Sequence, residues 1–80
     1  MKVYVLVLYL DYPSTRSGVQ EFIEVSTNKE KLEKTMNKEN RLINKYWSDD
    51  EMEYIGVTMS SKPHYSIIEK EVWQLWILTR

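Results

Sequence analysis

The N-terminal stretch "VYVLVLYL", Val3–Leu10, is apolar at every position in a chain of 80 residues. Successive side chains of a β-strand point to opposite faces, so a strand here would be apolar on both sides. One face would carry Val3, Val5, Val7 and Tyr9, and the other Tyr4, Leu6, Leu8 and Leu10. Apolar residues on both faces are typical of a central strand. The fold must therefore cover both faces of this strand.

Length and composition favour one small globular domain, residues 1–80. The chain is 42% hydrophobic and 29% charged, a balance typical of folded rather than disordered proteins. It contains no cysteine, which is compatible with the reducing cytoplasm, where we expect the protein to act. The formal net charge of −1 gives no general attraction to nucleic acid or to acidic membranes. The apolar run is too short to span a membrane, which takes about 20 residues, and no membrane partner is expected.

The first half of the chain reads as a β-hairpin followed by a helix. A loop of turn residues, 11–18, separates the first strand from a second at residues 19–25, and the two strands should pair antiparallel. The second strand is mixed in polarity, which suits a position nearer an edge. Strict alternation places Glu21, Ile23 and Val25 on one face, and Gln20, Phe22 and Glu24 on the other.

A capping box at Thr27–Glu30 predicts a helix from Asn28 to about Trp47. Its apolar residues recur at helical spacing and form one stripe. They are Leu32, Met36, Ile43, Tyr46 and Trp47, with Leu42 at the border.

The second half predicts two more strands. We expect one at residues 53–59, with Ile55, Val57 and Met59 on one face, and a turn at residues 60–63. Alternation favours a strand from His64 to about Trp73, although a helix also fits that spacing. The predicted fold is α+β, with ββαββ order, a small, mostly antiparallel sheet and one amphipathic helix packed on one face.

A helix of this length can shield only one face of a small sheet. The C-terminal residues add further apolar surface: Trp73, Leu75, Trp76, Ile77 and Leu78. Three arrangements would cover the second face, and the sequence leaves them open. The C-terminal tail could fold across it, two copies could pack sheet to sheet, or a different protein could dock there.

No pattern in the chain indicates an active site. His64 is the only histidine and follows Pro63 in a predicted turn, where an ordinary surface residue is expected. Gly18 and Gly56 are the only glycines, so neither glycine-rich phosphate-binding motif is present. One histidine and no cysteine argue against a zinc or iron site. We therefore predict a non-enzymatic protein with no catalytic residues, no metal and no cofactor.

Two charged clusters are candidate binding surfaces. A basic cluster repeats at spacings of three and four along the helix: Lys31, Lys34, Lys38, Arg41 and Lys45. This pattern fits two interpretations. The lysines and the arginine form either a solvated helix face or a basic ridge that binds phosphates or an acidic protein surface. The acidic cluster "DDEME", with Asp49, Asp50, Glu51 and Glu53, could imitate phosphates and occupy a basic groove of a partner. Aromatic residues are strong interface anchors, so the predicted partner-binding set is Asp49, Asp50, Glu51, Trp73 and Trp76.

Three segments resemble a group of short ββαβ proteins of phages and prophages of low-GC Gram-positive bacteria. They are the opening "MKVYVLV", the strand-to-helix segment "VSTNKEKLEK" and the late "YSIIEKEVW". The resemblance covers layout over most of the chain and brings no residue roles, and the Trp-rich C-terminus departs from the usual acidic ending. It implies a context in which small proteins without an active site bind and block a host protein.

The sequence thus favours a small protein-binding module, such as a phage-encoded inhibitor of a host enzyme or of a defence system such as a CRISPR nuclease. The alternatives are a nucleic-acid-binding accessory protein that uses the basic helix face, and a structural homodimer.

Overall fold

The computed structural model describes residues 1–14 and 18–73. Its elements are β1 (Lys2–Leu10), β2 (Val19–Ser26), α1 (Lys29–Tyr46), β3 (Trp47–Ser48), β4 (Glu53–Tyr54), β5 (Val57–Thr58) and β6 (His64–Glu71). The described chain is α+β, with one helix and two antiparallel sheets of order β2-β1-β6 and β3-β4-β5. The predicted fold class is confirmed. Among the described residues, no helix is long and apolar enough to cross a bilayer.

Strand β1 is central in the main sheet, as its two apolar faces predict. It pairs antiparallel with β2 on one side and with β6 on the other, so that Val5 lies opposite both Val25 and Ile68. Pairing with β6 runs from Lys2 to Tyr9. In this ladder the main-chain N–H and C=O groups of β6 that face β1 are hydrogen-bonded between strands, not within a helix. The strand interpretation of residues 64–71 is therefore confirmed, and the helix alternative is wrong there.

Helix α1 covers the face of β1 that carries Tyr4 and Leu6. The Lys31 Nζ atom lies 3.6 Å from a carboxylate oxygen of Glu24, which is the register partner of Leu6. The Lys29 Nζ atom lies 5.8 Å from the centre of the Tyr4 ring. Leu6 and Leu32 are both fully buried. The helix therefore closes this side of the sheet with aliphatic packing, and its lysines reach over the rim.

The opposite face of β1 is also buried within the single chain. Val3, Val5 and Val7 are 6%, 1% and 0% exposed. The apolar surface left open on this face lies instead on β2, where Phe22 and Val25 are 46% and 48% exposed. The prediction that the C-terminal tail folds across this face concerns residues 74–80, which lie outside the described residues. Strand β1 thus needs no second protein, while β2 keeps exposed apolar side chains.

A β-bulge in β2 makes the predicted face assignment wrong. Leu6 pairs with Glu24 and Val7 pairs with Phe22, so Ile23 is an extra residue. One inserted residue moves every side chain beyond it to the opposite face. Phe22 therefore shares a face with Val25, and Glu21 shares the helix-covered face with Glu24.

The helix begins one residue later than the capping box predicts. Asn28 is the N-cap, and its Oδ1 accepts a hydrogen bond of 3.2 Å from the main-chain N–H of Lys31. Ser26 Oγ in turn accepts from the Asn28 N–H at 3.0 Å, which leaves Thr27 outside the cap. At the other end Trp47 is extended and starts β3.

The single strand predicted for residues 53–59 is also wrong. The segment forms two strands of two residues, β4 and β5, joined at Ile55 and Gly56. Both of these residues have positive φ, 47° and 79°, as a type I′ hairpin turn requires. Alternation alone cannot distinguish a straight strand from a hairpin this short.

Candidate protein-binding surface

The acidic turn, residues 49–52, joins β3 to β4 directly after the helix. The indole Nε1 of Trp47 donates a hydrogen bond of 2.7 Å to Asp49 Oδ1. The N–H of Glu51 donates to Ser48 Oγ at 3.3 Å. Asp49, Asp50 and Glu51 are nevertheless exposed. The turn is thus held by local hydrogen bonds, and its carboxylates face solvent.

Two carboxylates of this region lie side by side. The pKa of Glu53, the first residue of β4, is raised above its ordinary value, first by side-chain hydrogen bonding with Glu51, then by repulsion from the Glu51 charge and by partial desolvation. Negative charge is therefore concentrated here, and a cationic group of a partner would relieve the repulsion.

Exposed apolar side chains lie at the end of the acidic turn and just beyond it. Met52, Ile55 and Val57 are 38%, 69% and 47% exposed. At about 3.3 Å per residue, Met52 and Ile55 are separated by about 10 Å of chain. Exposed apolar groups next to unpaired charges are typical of a protein interface with an apolar centre and a polar rim.

Backbone strain coincides with this exposure. Met52 and Ile55 are the non-glycine residues with positive φ in the described chain, at 52° and 47°. A β-branched residue with positive φ is a genuine outlier, because its Cβ crowds the backbone. Asparagine would meet the geometry of this turn with less strain. An exposed isoleucine is therefore held where folding alone would favour a polar residue.

Of the predicted partner-binding residues that the structure describes, Trp73 does not lie beside the acidic residues 49–51. Trp73 is 65% exposed and follows β6, next to Val72, whose N–H donates to the Met1 carbonyl at 3.0 Å. The acidic turn lies toward the other end of β1, where Met59 N–H donates to Met52 O and Ser60 N–H donates to Asp11 O. Trp76 lies outside the described residues.

The basic ridge, Lys31, Lys34, Lys38, Arg41 and Lys45, is exposed along its whole length. Lys31 forms an ion pair with Glu24, and the Lys45 Nζ atom lies 5.4 Å from the centre of the Tyr46 ring. Within residues 1–14 and 18–73, Lys34 and Lys38 form no ion pair. The ridge therefore keeps uncompensated positive charge at its middle.

A cleft of about 470 Å³ lies where β1 ends. His64 and Tyr9, register partners on β6 and β1, stack there with ring centres 5.0 Å apart and planes at 18°. Asp11 also lines the cleft, and its Oδ2 accepts a hydrogen bond of 3.2 Å from the Ser61 hydroxyl. The histidine is thus a strand residue with a stacking partner, not a turn residue.

Comparison of the chain with models of protein families, with curated proteins and with solved structures found no match. Among the described residues, no three His, Cys, Asp or Glu side chains gather into a group that could hold a metal ion. Sequence reasoning found the acidic turn but missed Met52 and Ile55 as exposed residues. Gly56 was the available signal for a turn at this point.

Proposed function

We propose that this chain is a non-enzymatic protein-binding module that docks through the acidic turn and the exposed apolar residues beside it. The observation that carries the proposal is Ile55, which is 69% exposed and held at a φ of 47°. Strained residues concentrate at functional sites, where the cost to folding is offset by what the residue contacts. A partner pocket that accepts this side chain would supply that contact.

Charge defines the chemistry of the partner. The turn presents Asp49, Asp50 and Glu51 to solvent, with Glu53 adjacent. Such a surface is complementary to lysines and arginines that line a nucleic-acid groove. We therefore propose a nucleic-acid-processing enzyme as the partner, blocked by occupation of its groove. The resemblance to phage proteins supports a role in the host cytoplasm, with a defence nuclease as one such target.

The test is affinity capture from a lysate of a low-GC Gram-positive bacterium, with the wild-type chain immobilised and recovered proteins quantified. The acid variant D49N/D50N removes two charges, and asparagine can still accept the hydrogen bond that Asp49 receives from Trp47. The control variant E30Q/E69Q removes two charges from exposed positions outside both the acidic turn and β2.

We expect wild type and the control to retain the same protein, and D49N/D50N to recover at least tenfold less. Added duplex DNA should release the retained protein, because both would compete for one basic groove. Equal recovery by the acid variant, or retention that DNA does not affect, would contradict the proposal.

The exposed cations of the basic ridge favour a second candidate, a nucleic-acid-binding accessory protein. Lys34 and Lys38 are exposed and form no ion pair in the described part of the chain, so they are available for phosphates. Replacing Lys34, Lys38 and Arg41 by Glu should abolish a mobility shift of labelled DNA or RNA at low salt. If wild type produces no shift under those conditions, this candidate is wrong.

A further inference from the structure

The two outer edges of the main sheet differ in protection. At β6, the Asn40 Nδ2 group donates to the Tyr65 carbonyl at 3.1 Å, and the Tyr65 N–H donates to Asn40 Oδ1 at 2.8 Å. The side-chain amide of Asn40 thus makes the two hydrogen bonds with Tyr65 that the main chain of a neighbouring strand would otherwise make. Along β2, no strand pairs with the outer edge within the described ranges 1–14 and 18–73.

Strand β2 has few of the features that usually prevent edge-to-edge pairing. It has eight residues and contains neither lysine nor proline. Phe22, Ile23 and Val25 are 46%, 46% and 48% exposed. A long edge strand with exposed apolar side chains is a template for another strand, and the protective features that β2 does have are its bulge and the carboxylates of Glu21 and Glu24.

We propose that β2 pairs antiparallel with β2 of a second copy of this chain, with Phe22 of each copy opposite Val25 of the other. Both residues lie on the same face of the sheet, because their partners on β1 are Val7 and Val5. Ile23 and Glu24 separate Phe22 from Val25 in each copy, so the bulged segments of the two strands have the same length and lie opposite each other. Phe22 can therefore pair with Val25 of the other copy at both ends of this segment, which brings four apolar side chains together.

Other registers are less favourable. A shift of one residue would place Phe22 opposite Glu24, on the wrong face. A shift of two residues in the same direction preserves the faces but sets Glu21 opposite Glu24, and like charges directly opposite are destabilising. Pairing Val25 with Val25 also preserves the faces, but it moves Phe22 past the end of the partner strand at Ser26.

Dimerisation would join two three-stranded sheets into one continuous sheet. It would also carry two acidic turns on one particle, which raises the avidity for a partner that offers two sites. The interface is small, so we expect weak association, on the order of micromolar. This inference is independent of the proposed function, because β2 and the acidic turn are separate surfaces that respond to different substitutions.

The first test uses the absence of cysteine from the chain. F22C and V25C are purified separately, and each variant alone and their mixture are oxidised. We expect a disulfide-linked dimer from the mixture and little from either variant alone. A strong cross-link of V25C with itself would overturn this register, and no cross-link in any sample would overturn the pairing.

The second test measures the association constant by sedimentation equilibrium. V25K places a charge on the proposed interface, and V72K is the matched control, because the two valines are 48% and 45% exposed and Val72 lies outside both β2 and the acidic turn. We expect V25K to weaken dimerisation at least tenfold and V72K to leave it unchanged, with circular dichroism showing that both are folded. A wild-type monomer at high micromolar concentration, or equal effects of the two variants, would overturn the proposal.

Discussion

Replacing Ile55 by asparagine should stabilise the protein. Ile55 and Gly56 occupy the two centre positions of the hairpin turn, with φ of 47° and 79°. Asn-Gly is the preferred pair for a type I′ turn, whereas a left-handed conformation costs an ordinary L-residue about 1–2 kcal/mol. The variant I55N should recover most of that cost.

The replacement of Ile55 loses only a small free energy of apolar burial. Full burial of an isoleucine contributes about 1.5–3 kcal/mol, and the side chain of Ile55 is 69% exposed, so about 0.5–1 kcal/mol is at stake. The net gain is about 0.5–1 kcal/mol. For a domain of this size that corresponds to a rise in Tm of about 2–8 °C.

Thermal unfolding followed by circular dichroism measures the effect, with I55V as the control. Valine keeps the β-branch and therefore the strain, so I55V should show no gain. A Tm of I55N at or below that of I55V would refute the strain argument. The variant I55N should also be used in the affinity capture from lysate. If it is more stable than wild type but no longer retains the partner, the strain at Ile55 is linked to binding, which is a trade-off between stability and function.

Three further predictions concern single side chains. E51Q should lower the pKa of Glu53 toward its ordinary value, measured by NMR titration of the side-chain carboxyl. A raised pKa in the folded state means that stability is lost as pH rises through it, so E51Q should reduce that loss, and an unchanged pKa would contradict the contact. N40A should cost about 1–3 kcal/mol in urea unfolding, since two main-chain groups of β6 lose their partner, and a cost near zero would show that water replaces it. L32A should cost about 2–5 kcal/mol because Leu32 is fully buried, whereas L42A, at a position 38% exposed, should cost less than half as much.

Much of the fold could be predicted from local pattern. Apolar residues at every position from Val3 to Leu10 indicated a central strand, and the repeat that includes Leu32 and Ile43 indicated the core-facing side of the helix. These predictions depend on the periods of strand and helix, which a short window of sequence contains. The acidic turn was found in the same way, because charge is a property of composition.

The tertiary structure decided what local pattern leaves undetermined. The bulge at Ile23 set which face Phe22 presents, since register is a relation between β2 and β1 rather than a property of either strand. The left-handed turn at Ile55 opposes the local preference of that residue and exists because β4 and β5 pair around it. The contact between Asn40 and Tyr65 spans 25 positions of the chain.

The sequence by itself therefore determined the long elements β1, β2 and α1, because hydrophobic periodicity is encoded locally, but it did not determine the short strands β3, β4 and β5. Only the folded chain decided which apolar side chains remain exposed on β2 and at the hairpin turn. Exposure depends on what packs against a residue from distant parts of the chain, and no short stretch of sequence contains that information.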